Sequence, residues 1–246
     1  MNLEQLGRAM AAALRTKTLA VLGGEVAEID GLEVYLSHLP DPAENFACVA
    51  TEPKDPVAAL TEAEAVLRTN GMPFGIGVLA GRHASVDAAV HARGFRVSFT
   101  EPVMTIRTAD LAEAPLPSDA HLADAGPDDL RALAELDAIA FGGDIDVSRG
   151  MYSPRLLDVA HVVTASIDQK IVGVATGVPA GGAVAVFGVA VAPEARRRGI
   201  GAALTCAAAR AGDGSGIAWL SARGEAARVY ERLGFREAGR TEIWVG

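Results

Sequence analysis

Residues 189–201 read Val-Ala-Val-Ala-Pro-Glu-Ala-Arg-Arg-Arg-Gly-Ile-Gly, and they decide how this chain is interpreted. A run of small and β-branched residues, typical of a buried strand, ends at Pro193. A basic turn with Gly199 and Gly201 follows, and then an alanine-rich segment, residues 202–210, that favours a helix. The first-turn N–H groups of a helix have no partner within it and attract an anion. The stretch therefore predicts a strand, a phosphate-binding turn and a helix.

The glycines and arginines of this turn have separate expected roles. Gly199 and Gly201 let the backbone approach an anion without a Cβ in the way. Three arginines, Arg196, Arg197 and Arg198, supply positive charge and forked donors. No Gly-Lys-Ser/Thr follows, which excludes a Walker loop, and the third glycine of a dinucleotide-binding fingerprint is missing. A solvated basic surface turn is the alternative, but the flanking strand and helix favour a binding site.

The spacing Arg196-x-x-Gly199-x-Gly201 resembles the acyl-CoA pyrophosphate loop of the GNAT superfamily of N-acetyltransferases, whose pattern is Gln/Arg-x-x-Gly-x-Gly/Ala. The resemblance implies that acetyl-CoA is the cosubstrate and that the strand before the loop offers exposed backbone to the acetyl group and the pantetheine. The implied acyl-CoA contacts are Val189, Ala190, Val191, Arg196, Arg197, Arg198, Gly199, Ile200, Gly201 and Ala202.

A second motif lies near the end of the chain. Residues 225–235, Glu-Ala-Ala-Arg-Val-Tyr-Glu-Arg-Leu-Gly-Phe, resemble the helix and Gly-Phe segment that closes GNAT domains. Val229, Tyr230 and Leu233 share one helical face, so periodicity alone favours Tyr230 as a core aromatic. The resemblance implies instead that its phenol, which is protonated at neutral pH, points at the CoA sulfur. Tyr230 is therefore the predicted general acid.

The general base stays open at this point. An ammonium group cannot attack a thioester, so the acceptor amine must first lose a proton to a base or to a water chain. Asp144 and Asp146 lie in a loop where GNAT proteins often contact the acceptor, but the interpretation as solvated loop acids is favoured for both. Glu194 is explained as a partner of the arginines, and Glu225 as a first-turn helix acid.

The sequence contains an internal repeat. Residues 94–96 and 234–236 are both Gly-Phe-Arg, and each lies the same distance after a proline, Pro53 or Pro193, that ends an apolar run. The same alignment sets residues 56–61, Pro-Val-Ala-Ala-Leu-Thr, opposite the basic turn. Because this counterpart has neither glycine nor positive charge, we interpret the first half as a degenerate GNAT-like domain that lost the acyl-CoA site.

This duplication defines the predicted architecture. Residues 1–110 are the degenerate domain, residues 111–118 with their two prolines are a linker, and residues 119–246 are the catalytic domain. The resemblance implies an α/β (α+β) fold in which each domain is a mixed, mostly antiparallel twisted sheet flanked by helices. Apolar periodicity predicts a helix over residues 127–141 with Ile139 on its core face.

Bulk properties bound the function. The chain has 246 residues and a formal net charge of −9, which argues against nucleic-acid binding. It lacks a run of about twenty apolar residues that would cross a membrane, and its first residues lack a secretory pattern. Two cysteines are too few for a disulfide framework, and the five histidines show no metal-ligand spacing. We therefore expect a cytoplasmic protein without a metal, a monomer or a homodimer.

The predicted function is N-acetyl transfer from acetyl-CoA to a primary amine of a small molecule, a protein N-terminus or a lysine, by direct attack without a covalent enzyme intermediate. A non-catalytic acyl-CoA-binding regulatory protein is one alternative, and an acyltransferase that uses a longer acyl-CoA is another. Residues 212–216, Gly-Asp-Gly-Ser-Gly, are interpreted as a flexible turn.

Overall fold

The computed structural model describes residues 1–212, 216–222 and 224–246, and the chain divides into two compact units. The first unit comprises Met1–Val103 and Glu237–Gly246, and the second comprises Met104–Arg236. Part of the predicted turn at residues 212–216 lies outside the described residues.

The helices are α1 (Leu3–Ala20), α2 (Pro56–Asn70), α3 (Ala84–Ala92), α4 (Leu130–Phe141), α5 (Ile145–Met151), α6 (Pro154–Val159), α7 (Ile200–Ala209) and α8 (Glu225–Leu233). The strands are β1 (Glu25–Ile29), β2 (Leu32–Leu36), β3 (Asn45–Val49), β4 (Gly75–Leu79), β5 (Arg96–Arg107), β6 (Ala120–Asp124), β7 (His161–Ile167), β8 (Lys170–Ala180), β9 (Ala183–Val191), β10 (Ile217–Ser221) and β11 (Arg236–Val245).

The sheet of the first unit takes in the last strand of the chain. β1, β2 and β3 are antiparallel neighbours, β3 and β4 are parallel, and β11 pairs antiparallel with β4. Thr241 faces Leu79 in this register, and Trp244 faces Ile76. The Trp244 side chain is 3% exposed within the apolar core of the unit, so burial as well as backbone pairing holds β11 there.

The units therefore differ in extent from the ranges expected from the sequence. The last ten residues belong with the first unit because β11 pairs with β4. Residues 111–118, expected to be a linker, lie inside the second unit. The amide of Ala112 donates to the carbonyl of Leu233 at 3.0 Å, and Leu111 is buried. The start of this segment is thus attached to the second unit by burial and a hydrogen bond.

The sheet of the second unit carries the predicted loop and helix. β6, β7, β8 and β9 are antiparallel neighbours, and β9 pairs in parallel with β10. Asp168 and Gln169 join β7 to β8 with φ of 48° and 64°, the left-handed backbone of a two-residue hairpin turn. Both units thus combine mixed, mostly antiparallel sheets with flanking helices, and the predicted fold class is confirmed.

The helix predicted over residues 127–141 differs in detail. Pro127–Asp129 form a 3₁₀ turn, and α4 begins at Leu130. The prediction for Ile139 is wrong, since its side chain is 64% exposed. Asp137 faces the core instead, because it follows Leu133 by one helical turn and shares its face. Among the described residues, no helix is long and apolar enough to cross a membrane.

Candidate active site

The strand that leads into the basic turn contains a β-bulge, formed by Gly188 and Val189. In the ladder between β8 and β9, Thr176 faces Phe187 and Val174 faces Ala190, so β9 has one residue more than β8 over this interval. Gly188 has φ of 57°, which favours glycine. β9 is buried from Ala183 to Val186 and becomes half-exposed at the bulge.

The pairing between β9 and its other neighbour, β10, ends before the bulge. The described residues of β10 pair with β9 at two positions, Ala218 with Val184 and Trp219 with Ala185. The ladder goes no further over the described residues, so the backbone of residues 189–191 is not engaged by β10. The bulge and this divergence together present the end of β9 to a cleft.

The basic turn is held by its own arginines. Arg196 Nε donates to the carbonyl of Val191 at 3.0 Å, which fastens the start of the turn to the end of β9. Arg198 Nη2 donates to both carboxylate oxygens of Asp119, at 2.6 and 2.8 Å. Arg197 between them has φ of 59°, a left-handed backbone that a non-glycine residue seldom adopts. The turn is therefore specifically folded rather than a loose basic surface.

The N-terminus of α7 is open to an anion. Gly199 is its N-cap, with φ of 87° and no side chain to cap the helix. The amide of Ala203 donates to the carbonyl of Gly199 at 3.1 Å, which leaves the amides of the first turn without an intrahelical acceptor. A Cβ on Gly201 would stand 3.5 Å from Val191 Cγ2, an ordinary contact, so the strict need for glycine is at Gly199.

Two adjoining clefts border the turn and the end of β9. The larger, about 820 Å³, contains the arginines of the turn and the start of α7. The smaller, about 260 Å³, lies between the end of β9 and α8. The predicted site residues that line one or both clefts are Val189, Ala190, Val191, Arg196, Arg197, Arg198, Gly199, Ile200, Gly201, Ala202 and Tyr230.

The larger cleft is strongly basic. Besides the three arginines of the turn, Arg228 and Arg232 line it from one face of α8, and the acids on its wall are Glu113 and Glu225. Positive charge and unpaired helix amides thus meet in the same place, an arrangement suited to a polyphosphate. Two contributors were missed by the sequence analysis: the α8 arginines, and residues 113–115, which belong to the expected linker.

Tyr230 stands where the smaller cleft meets the end of β9. Its side chain is 9% exposed, and its ring lies 6.0 Å from that of Phe235, edge to face. Burial raises the pKa of Tyr230, and a hydrogen bond with Thr205 opposes part of that rise. The hydroxyl is therefore a proton donor at neutral pH. The core and the catalytic interpretations of this residue are compatible in the structure, since it is packed on one side and lines the cleft.

Comparison with protein families decides the class of this site. Residues 158–237 match the family model described as the acetyltransferase (GNAT) domain. This segment is a GNAT acetyltransferase domain. The matched range runs from α6 through the bulged strand, the basic turn and α8, so the chain carries an acyltransferase domain. No curated protein matches the sequence.

Solved structures of GNAT proteins share the fold. A GCN5-related N-acetyltransferase from Kribbella flavida superposes with a TM-score of 0.77 at 20% identity, over 99% of this chain and 95% of its own. A GCN5-related N-acetyltransferase from Sphaerobacter thermophilus gives 0.62 at 20% identity, over 87% and 76%. A tandem GNAT protein from the clavulanic acid biosynthesis pathway gives 0.64 at 15% identity, over 98% and 93%. At these identities the likeness concerns the fold.

The four acids considered as general base are placed differently around the GNAT site. Asp144 caps α5, accepting from the amide of Asp146 at 2.7 Å, and Asp146 pairs with Arg149. Glu194 lies 3.2 Å from Lys170 Nζ. Glu225 is the one of the four that lines a cleft described here. Asp144 and Asp146 thus have local roles in α5, and Glu194 pairs with Lys170 rather than with the arginines of the turn.

A buried acid near the GNAT site escaped the sequence analysis. Asp137 on α4 is 5% exposed and accepts hydrogen bonds from Ser148 and Tyr152. The available signal was a carboxylate one helical turn after Leu133, on the apolar face of an otherwise regular helix. Among the described residues, no group of three or more His, Cys, Asp or Glu side chains is arranged to hold a metal ion.

Proposed function

We propose that this chain is an N-acetyltransferase that moves an acetyl group from acetyl-CoA to a primary amine, with its active site in the second unit. The observation that carries the proposal is the meeting of three features in adjoining clefts. These are a helix N-terminus without a side-chain cap, a bulged strand end that the described residues of β10 do not pair with, and a protonated tyrosine. Each feature is suited to bind a different part of the acetyl-CoA molecule.

The larger cleft fits the pyrophosphate. The amides at the start of α7 donate hydrogen bonds and the helix dipole favours negative charge, while glycine at position 199 leaves room for the approach. The arginine side chains on the cleft wall add charge at the same end. This combination supports CoA binding with the nucleotide in the larger cleft and the pantetheine leading along β9 to the smaller one.

The smaller cleft fits the reacting thioester. Backbone N–H groups at the end of β9 can stabilise the oxyanion that develops on the acetyl carbonyl oxygen. The neutral amine attacks the carbonyl carbon with its lone pair and forms the new C–N bond. The tetrahedral intermediate then collapses, the C–S bond breaks, and the thiolate takes the proton of the Tyr230 hydroxyl. The amine releases one proton to a base that stays unassigned, and the tyrosine is reprotonated from solvent.

The first unit repeats the order of strand, helix, strand and helix, but its own side chains occupy the corresponding positions. At the start of α2 the Asp55 carboxylate accepts from the amides of Val57 and Ala58, at 3.1 and 3.0 Å. Pro56, the first residue of this helix, has no amide proton. A carboxylate of the chain thus stands where the second unit leaves its helix amides open, which supports the interpretation of this unit as a degenerate copy.

The end of β3 in the first unit is occupied as well. Arg82 is nearly fully buried and donates to the carbonyls of Val49 and Ala50, the residues that the sequence repeat aligns with Val189 and Ala190. Its guanidinium also pairs with Glu4 at 3.0 Å. With the backbone at this strand end capped by an arginine, we expect one molecule of acetyl-CoA to bind per chain.

Turnover with defined substrates tests the proposal. The full chain is incubated with acetyl-CoA and a panel of primary amines that spans small polyamines, amino sugars and peptides with free N-termini or lysines. Released CoA thiol is followed by colorimetry, and the acetylated product by mass spectrometry. Calorimetric titration with CoA gives the affinity and the number of sites. Binding without acetylation of any amine favours the regulatory alternative, and absence of CoA binding contradicts both.

A further inference from the structure

A buried polar cluster connects α4, α5 and β9 in the second unit. We define the Asp137 cluster as Asp137, Ser148 and Tyr152. Ser148 Oγ donates to Asp137 Oδ2 at 2.8 Å, and the Tyr152 hydroxyl donates to Asp137 Oδ1 at 3.4 Å. The three side chains are 2% to 6% exposed. Burial and the neighbouring carboxylate raise the pKa of Tyr152 well above its ordinary value, so its hydroxyl remains a donor.

The cluster lies directly against the bulge. A Cβ on Gly188 would stand 3.2 Å from Tyr152 Oη and 3.9 Å from Asp137 Oδ1. The distance to the hydroxyl is shorter than an ordinary van der Waals contact, so a larger residue would be crowded at position 188. The positive φ of Gly188 also favours glycine at this position. The backbone of the bulge therefore rests on the tyrosine hydroxyl, with no space between them for a side chain.

The same elements form two walls of the smaller cleft. Ala140 and Phe141, at the end of the helix that carries Asp137, line one side. Val189, Ala190 and Val191, which follow Gly188 on β9, line another. A displacement of Asp137 or Tyr152 would thus shift the backbone that is proposed to bind the acetyl group.

We propose that the Asp137 cluster positions the bulge of β9, so that the backbone after Gly188 is held in the orientation that binds the thioester. This inference rests on the proposed function. Asp137 and Tyr152 act through the bulge and are positioning residues. A carboxylate suits this role because its two oxygens fix two donors from different places, Ser148 on α5 and Tyr152 beyond it. Because burying a carboxylate seldom adds stability by itself, its two hydrogen bonds point to a role in holding geometry here.

Kinetics of two variants test the inference. Tyr152→Phe removes one hydroxyl and Asp137→Asn removes the charge while keeping the shape; Glu135→Gln, on the exposed face of the same helix, is the matched control. We expect kcat to fall about tenfold or more in both variants, because small misplacements of reacting groups are costly. The Kd for CoA should stay within about twofold, because the pyrophosphate turn is untouched, and the control should behave as wild type.

A double-mutant cycle separates positioning from loss of stability. Gly188→Ala brings a methyl group against the Tyr152 hydroxyl and should lower kcat by itself. Because Tyr152→Phe removes the atom that this methyl meets, adding it to Gly188→Ala should cost less than it costs in the wild-type background. A purely structural role predicts additive effects that follow the melting temperature. If Asp137→Asn does not fold, Tyr152→Phe and this cycle carry the test.

Acetyl-CoA and CoA binding provide a readout that does not need an acceptor. Wild type should bind acetyl-CoA more tightly than CoA, and Tyr152→Phe should reduce this preference while leaving CoA affinity unchanged. The inference is overturned if kcat, the binding preference and the coupling to Gly188 are all unchanged in folded variants. Failure of the proposed function looks different, since wild type itself would then acetylate no amine or bind no CoA.

Discussion

Arg196 Nε and the carbonyl oxygen of Val191 lie 3.0 Å apart, so the first arginine of the turn is joined to the last residue of β9. Its Nη2 also lies 3.5 Å from the carbonyl of Ala140, at the end of α4. Arg196 thus has a fixed orientation before any ligand arrives, and it lines both clefts. The spacing of the basic turn therefore reflects the attachment of Arg196 to β9 as well as the charge of the proposed ligand.

Arg196→Lys should therefore weaken acetyl-CoA binding although the charge is kept. Lysine lacks the planar fork that serves the Val191 carbonyl and a phosphate together. We expect KM for acetyl-CoA to rise about tenfold with a smaller change in kcat. Arg155→Lys, at an exposed position of α6, is the control in steady-state kinetics. Equal KM values for the two variants would contradict the assignment.

Gly199→Glu should abolish CoA binding. The substitution strains a backbone with φ of 87° and places bulk and negative charge at the start of α7. Gly71→Glu is a matched control, because Gly71 has φ of 72° and open space around it at the C-cap of α2. Calorimetry should detect CoA binding to the control alone. If Gly199→Glu bound CoA with unchanged affinity, the assignment of this turn as the pyrophosphate site would be wrong.

Tyr230→Phe should lower kcat by about a hundredfold and leave the Kd of CoA nearly unchanged, because only a proton donor is lost. Since burial raises the pKa of Tyr230, the wild-type enzyme keeps this proton above the ordinary tyrosine range. The kcat of the wild type should therefore fall only above the ordinary tyrosine pKa, where Tyr230 loses its proton. The variant should not show this fall in kcat. If wild type and Tyr230→Phe had equal kcat over the whole pH range, Tyr230 would be a core residue without a catalytic role.

Arg82→Ala should destabilise the first unit by about 2 kcal/mol or more, because two carbonyls lose a buried donor. The hydrogen bond with Arg82 lowers the pKa of Glu4, so this pair stabilises the fold above the ordinary glutamate pKa and loses its effect as pH falls through the lowered value. The difference in unfolding free energy between wild type and variant should narrow on acidification. Arg96→Ala, exposed at the start of β5, is the control in denaturant titrations.

The two tryptophans report separately on the two units, since Trp219 lies in the second and Trp244 in the first. Trp219→Phe leaves fluorescence from the first unit alone, and Trp244→Phe leaves that of the second. With Arg82→Ala added, unfolding detected through Trp244 should shift more than that detected through Trp219. Identical shifts would mean that the units unfold as one cooperative body.

Local signals sufficed for the center of the site. The strand, basic turn and helix of residues 189–201 are contiguous, and strand periodicity, glycine placement and helix propensity act over a few residues. The hairpin turn at Asp168 and Gln169 is likewise a local feature, set by two adjacent residues with positive φ. Ile139 was misplaced because hydrophobicity alone assigned it to the core, whereas the buried face takes Asp137 with its partners from α5.

Long-range pairing lay beyond the sequence. Tyr152 and Gly188 meet only because α5 folds back onto β9, and no spacing in the chain encodes that contact. The partner of β11 was equally hidden, since a strand of mixed polar and apolar residues can pair with any open sheet edge that has a matching face. Trp244 fits the core of the first unit, and this complementarity is a property of the folded sheet.

The place of β11 has a consequence for how the protein is made. The residues that pair with β4 leave the ribosome only after the whole second unit, so the sheet of the first unit is completed after the second unit has been synthesised. The first unit therefore cannot be expressed as one contiguous fragment with β11 in its sheet, whereas the second unit is contiguous. A proteolytic cut within β11 therefore disrupts the sheet of the unit that was translated first.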